Sequence, residues 1–405
     1  MKHVFFIIAL LTALGARAQN ASLTEYTGKY KFGEGASVSE ALVELKDNKL
    51  VISSDRGAAS LTRLESDSFA VDEYGGYVAF RRNATKLVSG LKVSIPAADI
   101  DIEGVKADSA ATQAPAKLTV NTQRAPFVRK GGIDLQAHQG GCGLWPCNTL
   151  VAFINAVKMG VNTLEMDCVI SKDNMVLLSH DQFMDYSVRT PQGKDDITQS
   201  NQLTYNIFTM PYDSVRQYDA GSRANPYFPQ QQKIRAYKPL LAEVIDSVEH
   251  YVKAHKLQPV QYNIEIKSLR GDNVYHPAPG VFTDLVANVI NQKGVGDRVL
   301  IQSFDIRALQ YLHEHYPALR TSYLLNGKSS LQESINRLGF VPDVYSPEYK
   351  AVTATMVQEV HQMGMALIPW TIDKQEDLQH IIGLDVDGII TNYPDLAIKL
   401  LNKRK

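Results

Sequence analysis

Six ionisable residues near the middle of the chain have types and spacings suited to holding charge and moving protons: His138, Glu165, Asp167, His180, Glu265 and Lys267. Glu165 and Asp167 stand one residue apart in "LEMDCVI", as do Glu265 and Lys267 in "YNIEIK". Side chains two apart on a strand share a face at roughly 6 to 7 Å, so each pair projects together from one strand. Three converging carboxylates form a hard oxygen donor set that suits Mg²⁺ or Ca²⁺, whereas zinc draws more on His and Cys. Without a cation such a set would repel itself in a partly desolvated mouth. A lone Glu-x-Asp pair is equally well a strand-end salt bridge. The added "EIK" and the two histidines turn the balance towards chemistry. Two imidazoles beside a hard cation and a lysine suit phosphodiester hydrolysis: positive charge neutralises the non-bridging oxygens, one ring takes the nucleophile's proton, and the other protonates the leaving alkoxide. Imidazole's unperturbed pKa serves both tasks near neutrality. General acid-base help supplies roughly 10² to 10⁴-fold, so electrostatics and positioning must supply the rest. Two of the carboxylates alone would also serve a retaining glycosidase, a reading that leaves the histidines and Lys267 without a task.

These residues need elements that deliver them to one place. After Phe127, short apolar runs alternate with amphipathic stretches such as "LLAEVIDSVEHYVKAH". The predicted strands are "IDLQAH", "NTLEMDCVI", "PVQYNIEIK", "RVLIQSF", "RTSYLL", "DVYSPE", "MALIPWTI" and "DGIITN". Strands alternating with helices in this number predict an α/β chain ending in a (β/α)8 TIM barrel, whose catalytic groups sit at the C-terminal strand ends. His138, Glu165, Asp167, Glu265 and Lys267 fall at such ends, and His180, with Asp181, closes the short strand "MVLLSH" that follows the second. Residues 181–239 form a long polar insertion with little helical periodicity, a length that usually contributes to a site. His276 lies on the same side as the site, whereas His250, His255, His313, His315, His361 and His380 fall on helical segments and suit surface or packing roles. A helix starting over 148–153 beside His138 offers backbone N–H groups to an anion, or simply a cap at Asn148 or Thr149.

Upstream, residues 22–107 alternate in short strands ("GKYKF", "ALVELKD", "KLVISSD", "AASLTRLES", "SFAVDEY", "GYVAFRRN", "LKVSI", "ADIDIEGV") split by turns. They predict a small antiparallel β domain ahead of the barrel, its partner unknown. Asp99, Asp101 and Glu103 alternate there as a solvated strand face, with no histidine beside them to suggest a metal. Residues 108–126 lose the rhythm and predict a linker to a barrel domain over 127–405. Residues 1–18, a basic start, an apolar run and "ARA", predict a signal peptide and an exported protein, periplasmic or extracellular. That run is too short for a transmembrane helix. A formal net charge of −1 leaves no electrostatic footprint for nucleic acid.

"EMD" at 165–167, "SKD" at 171–173, "HD" at 180–181, "EIK" at 265–267, "QSFD" at 302–305, "PWT" at 369–371 and "DGIITNYP" at 387–394 occur in the order found in the glycerophosphodiester phosphodiesterases, which this chain resembles. The resemblance implies a (β/α)8 barrel and one divalent cation, Ca²⁺ or Mg²⁺, carried by Glu165, Asp167 and Glu265. His138 and His180 would be the acid-base pair. Lys267, Gln302 and Trp370 would meet the substrate, with Lys267 approaching the phosphate. The substrates implied are glycerophosphodiesters, cleaved to an alcohol and sn-glycerol 3-phosphate.

The stretch "HQGGCGLWPCNT" departs from the family's His-Arg-Gly and Pro-Glu-Asn-Thr: Gln139 stands where the family has Arg, and Cys147 where it has Glu. A neutral amide cannot replace a bidentate guanidinium on phosphate. Loss of one preorganised contact costs about 3 to 4 kcal/mol in other enzymes. Two readings therefore stand beside each other: a phosphodiesterase with a remodelled phosphate clamp that includes Gln139, and a catalytically impaired binding protein that keeps the metal and phosphate pocket. Cys142 and Cys147 are equally compatible with a disulfide and with two free thiols, while Cys168 packs as a small hydrophobe.

Overall fold

The computed structural model describes residues 23–33, 36–46, 49–64, 67–83, 87–96, 100–107, 132–327 and 329–403. The expected signal peptide at 1–18, the linker at 108–126 and Asp99 lie outside the described residues. The chain divides into two compact units, Met1–Lys117 and Leu118–Lys405.

In the first unit, each predicted strand forms: β1 (Gly28–Phe32), β2 (Glu40–Lys46), β3 (Lys49–Ser54), β4 (Gly57–Arg63), β5 (Ser68–Val71), β6 (Tyr77–Arg82), β7 (Val88–Ile95) and β8 (Ile100–Lys106). Each pairs antiparallel with the next, and β8 returns to β1 with Tyr30 opposite Lys106, closing a barrel. Alternation drives this: one face of each strand sends Tyr30, Leu50, Phe69, Val78, Phe80 and Leu91 into a common core. Gly76, at φ +145°, allows the turn into β6, since a Cβ there would stand 2.2 Å from the Ser94 carbonyl oxygen. On β8, Asp101 pairs with Lys92 at 3.2 Å and Glu103 with Arg81 at 2.8 Å, a solvated ion-paired face as the alternation implies.

The second unit contains all eight predicted barrel strands: β9 (Asp134–Ala137), β10 (Thr163–Ile170), β12 (Gln261–Ile266), β13 (Val299–Ser303), β14 (Arg320–Leu325), β15 (Val344–Pro347), β16 (Ala366–Leu367) and β17 (Gly388–Thr391). Between β10 and β12, the short β11 (Val176–Leu178) pairs antiparallel with β10. Helices follow in (β/α)8 order: α1 (Leu150–Met159) after β9, α3 (Leu241–Ala254) before β12, then α4 (Pro279–Lys293), α5 (Ile306–His315), α6 (Leu331–Leu338), α7 (Ala354–Gln362), α8 (Gln375–Gly383) and α9 (Pro394–Asn402). The parallel sheet runs β16-β15-β14-β13-β12-β10-β9-β17. No strand ladder joins β16 to β17. Instead, Asp387 N–H donates to Leu367 O at 3.0 Å, Ile390 N–H to Pro369 O at 3.0 Å and Ile372 N–H to Ile390 O at 2.9 Å, drawing the seam together.

Strand alternation sorts the two barrel layers. Leu135, Leu164, Met166, Tyr262, Ile264 and Ile301 pack outward with helix residues such as Phe153, Val244 and Phe282. Their neighbours face inward, and these divide by chemistry. Leu300, Val344, Ala366, Ile368 and Ile390 form an apolar cluster, whereas Asp134, Gln136, Thr163, Asn263 and Gln302 are buried polar groups. Buried polar groups persist only when hydrogen-bonded, so the polar half is expected to be a connected network.

Residues 181–239 hold short turns, Gln202–Thr204 and Ile207–Thr209, and α2 (Tyr212–Val215). Met184, Val188, Ile197, Ile207, Tyr212 and Val215 give this stretch its own core against Val169 of β10 and Leu177 of β11.

Candidate active site

The chain leaves β9 through a tight turn in which Gln139 adopts φ 52°, ψ 30° and Gly140 and Gly141 follow at φ 83° and 94°. A Cβ at Gly140 would stand 2.8 Å from Ala152 Cβ, so this turn packs directly on α1 and needs glycine. The turn presents His138 upward and aims the Gln139 N–H at Glu165 Oε2, 2.8 Å away.

His138 Nδ1 lies 2.7 Å from Asn392 Oδ1. The Asn392 amide nitrogen donates to Asp373 Oδ2 at 2.7 Å, and its backbone N–H to Asp373 Oδ1 at 2.9 Å. Because a carboxylate can only accept, Asp373 turns the Asn392 oxygen towards His138. Nδ1 must then donate, which leaves the lone pair on Nε2, facing the site. His180 is held in the same sense: its Nδ1 lies 3.0 Å from Asp181 Oδ1. Burial alone would raise the Asp181 carboxyl, yet the bond and charge of His180, with Lys238 and Lys267, keep it below its ordinary range.

Glu165, Asp167 and Glu265 are buried together, and each offers an oxygen within 4.8 Å of the others. The β10–β12 register places Asp167 opposite Glu265. Each carboxylate is braced. Gln302 Nε2 donates to Glu165 Oε1 at 2.6 Å, and Asn148 Nδ2 to Asp167 Oδ2 at 2.8 Å, while Asp167 N–H returns a bond to Asn148 Oδ1 at 3.1 Å. Lys267 Nζ lies 3.1 Å from Glu265 Oε1 and 3.7 Å from Asp167 Oδ1.

Burial first, then repulsion from Asp167, pushes the Glu165 carboxyl well above its ordinary range. Burial likewise pushes Glu265 up to about 8, against the attraction of Lys267 and with added repulsion from Asp167 and Glu165. Asp167 goes the other way: burial would raise it, but Lys267, His180, His138 and the Asn148 amide together hold it low. Burial would lower Lys267, yet Glu265 and Asp167 keep its ammonium above the usual range. Three buried carboxylates crowd one ammonium, and burial drives protons onto Glu165 and Glu265 that a cation would displace. A hard divalent cation fits this donor set, with its oxygen ligands already oriented by amides.

A cleft of about 440 Å³, counting its open mouth, is lined by the polar His138, Glu165, His180, Glu265, Lys267, Gln302 and Thr371 and by the largely apolar Phe304, Leu324, Trp370 and Ile390. Trp370 is fixed edge-on to Phe304 at 5.3 Å, and its Nε1 donates to Ser346 O at 2.8 Å. The cleft therefore brings groups for proton transfer and charge together with apolar side chains on which an uncharged group could rest.

Of the residues marked from sequence, Gln139 sits differently from expectation. It is 5% exposed and absent from the cleft lining. Its contribution is the backbone N–H on Glu165, and its side-chain nitrogen lies 3.5 Å from His138 Nε2. Cys147 is joined to Cys142, with Cα atoms 4.5 Å apart, and Gln231 of the insertion donates to Cys142 O at 2.7 Å. Thr149 caps α1 by accepting from Ala152 N–H at 3.4 Å, which leaves Asn148 for Asp167. His276 is fully buried with Nδ1 2.7 Å from Pro277 O and Nε2 2.8 Å from Arg270 O, so both nitrogens serve the backbone. Asn148, Asn392 and Asp373 escaped the sequence reading as site residues, and so did the buried polar row beneath the site, Gln136 and Asn263. The signal for the last two was available, since polar residues at every second position run inward from His138 and Glu265 along otherwise apolar strands.

Residues 138–396 match the model of the Glycerophosphoryl diester phosphodiesterase family. A glycerophosphodiester phosphodiesterase of Bacillus subtilis (strain 168) is 28% identical over 275 residues, covering 65% of this chain and 85% of its own. One from Caldanaerobacter subterraneus subsp. tengcongensis is 29% identical over 269 residues, covering 66% of this chain and 97% of its own. A crystal structure from Silicibacter pomeroyi assigned to the same activity superposes with a TM-score of 0.60 at 25% identity, covering 67% of this chain and 94% of its own.

Proposed function

This chain belongs to the glycerophosphoryl diester phosphodiesterase family, and we propose that it hydrolyses glycerophosphodiesters to an alcohol and sn-glycerol 3-phosphate. The observation that carries the reading is one cleft lined by two Nδ1-anchored imidazoles, Lys267, Glu165 and Glu265, with Asp167 buried against Lys267 beside them.

Glu165, Asp167 and Glu265 would hold one divalent cation, Ca²⁺ or Mg²⁺, and that ion would supply positive charge to the non-bridging phosphate oxygens. Lys267 adds its ammonium to the same oxygens. His138 Nε2, with its lone pair directed into the cleft, accepts the nucleophile's proton as the new P–O bond forms. His180, anchored through Asp181, delivers a proton to the departing alkoxide as the old P–O bond breaks. Trp370 and Phe304 pack against the less polar part of the diester. The 181–239 insertion supplies Gln182, whose side chain donates to Lys267 O at 2.5 Å and so fixes the end of β12. We place the reaction outside the cytoplasm: the leader-like first 18 residues support export, and a Cys142–Cys147 bond persists only where the surroundings are oxidising.

The test is turnover of glycerophosphocholine and bis(p-nitrophenyl) phosphate by purified protein, with and without EDTA and against a His138→Ala control. Hydrolysis that EDTA abolishes and Ca²⁺ or Mg²⁺ restores supports the reading; EDTA-resistant hydrolysis overturns it. A ligand-holding role without turnover is favoured by one observation, that neither Gln139 nor the disulfide-bonded Cys147 brings charge to the phosphate. Retained phosphate-ester binding with no hydrolysis would select it.

A further inference from the structure

Inside the barrel, two buried carboxylates lie at the ends of one amide relay. Gln136 Nε2 donates to Asp134 Oδ2 at 2.8 Å, and Gln302 Nε2 donates to Glu165 Oε1 at 2.6 Å. Between the glutamines stands Asn263, whose Nδ2 donates to Gln136 Oε1 at 2.7 Å and to Gln302 Oε1 at 3.0 Å. All five side chains are buried.

As a cation ligand Glu165 is ionised and can only accept, so Gln302 turns its nitrogen to it and its oxygen inward; Gln136 turns its nitrogen to Asp134 and its oxygen inward in the same way. Two inward oxygens require one donor with two hydrogens, and the Asn263 amide nitrogen has two. Its own Oδ1 is left buried without a hydrogen-bond partner. A buried acceptor without a partner is costly. The protein thus maintains an orientation that harms local satisfaction and benefits the Gln302–Glu165 contact, a trade expected beside functional groups.

We propose that Asn263 is a positioning residue for the cation site: by holding the Gln302 oxygen it keeps the Gln302 nitrogen on Glu165, which presents that carboxylate for ligation. It touches neither cation nor substrate. The arm through Gln136 to Asp134 anchors the same amide but does not reach the site. This inference rests on the functional reading above, in which Glu165 is a cation ligand.

The test is calorimetric titration of Ca²⁺ and of Mg²⁺ into EDTA-stripped, dialysed full-length protein, with thermal melts to confirm folding. Asn263→Leu, which removes both donors, is expected to weaken cation binding at least tenfold, and Asn263→Ser, which keeps one, by an intermediate factor. Gln136→Leu should leave affinity within twofold of wild type. In a Gln302→Leu background, Asn263→Leu should add nothing, because the path from Asn263 through Gln302 to Glu165 is already cut. The serine variant keeps the test open if the leucine variant does not fold. Folded Asn263 variants that bind the cation as wild type does, a Gln136→Leu loss equal to that of Asn263→Leu, or an additive double variant would each overturn the proposal. Wild-type protein that takes up neither ion would overturn it together with the functional reading. Wild-type binding with unaffected variants overturns the positioning role alone.

Discussion

His138 Nδ1 stands 2.7 Å from Asn392 Oδ1, and Asp373 fixes that amide from behind. The pair joins the end of the first barrel strand to the end of the last, and it sets which imidazole nitrogen can take a proton. Asn392→Ala should therefore lower kcat by about 10 to 100-fold, part of what general base help supplies, with little change in KM. Asp373→Asn should follow it, because a neutral partner no longer dictates the amide's direction. Steady-state kinetics on glycerophosphocholine would check both; an unchanged kcat in folded Asn392→Ala removes the relay from the mechanism.

Replacing either histidine should separate binding from chemistry. His180→Ala is expected to cost roughly 10² to 10⁴-fold in kcat while Ca²⁺ or Mg²⁺ affinity stays near wild type, since His180 is no cation ligand. Its exposed position predicts that the fold is undisturbed. Calorimetry beside kinetics tests this, and a parallel collapse of cation affinity would assign His180 to the metal shell instead.

The acidic group predicts an unusual pH dependence of stability in the cation-free protein. Glu265 is raised from 4.5 to about 8 by burial, so between those values the folded state holds a proton that the unfolded chain has released. Stability is then fully present below about 4.5 and is lost as pH rises through about 8, a few kcal/mol in order of magnitude. Glu165 acts in the same direction and Asp167 in the opposite one. Melting temperatures in EDTA should fall from pH 5 to pH 8, and the stabilisation gained on adding Ca²⁺ or Mg²⁺ should grow across the same range. A flat cation-free profile would contradict the burial argument.

The Cys142–Cys147 bond closes the loop whose two ends grip the acidic group, Gln139 through its N–H and Asn148 through its side chain. Replacing both cysteines by serine should cost about 2 kcal/mol by the chain-entropy argument for so short a loop. Because Glu165 and Asp167 lose a rigid support, cation affinity should drop as well. Urea unfolding and calorimetry of the double variant, with dithiothreitol-treated wild type alongside, would measure the two effects.

Both sets of strands were legible because alternation and turn residues are strong where one strand face is buried and the other is not. The strand ends carried their charges openly, so His138, Glu165, Asp167, His180, Glu265 and Lys267 could be placed in one mouth from spacing alone. What the sequence hid depends on long-range geometry. Asn392 meets His138 across 254 residues, and nothing local in "TNYP" distinguishes a relay from a turn. Asn148 looked like a helix cap because it opens a helix, yet Thr149 does that and frees Asn148 for Asp167. Gln139 looked like a phosphate ligand because of what it replaces. Its left-handed backbone instead turns the amide N–H, a group that does not depend on the glutamine side chain, onto Glu165. The cysteine pair was undecidable until the fold brought the two Cα atoms to 4.5 Å.

The first unit's meander ends where it began, with β8 hydrogen-bonded to β1. Among the described strands no edge is left to lend its backbone to a visiting chain, so strand addition finds no template among them. What these strands offer a visiting molecule is side chains and loop tips. Randomising surface residues such as Leu64, Tyr74 or Leu87, all exposed, is therefore the productive way to map that engagement.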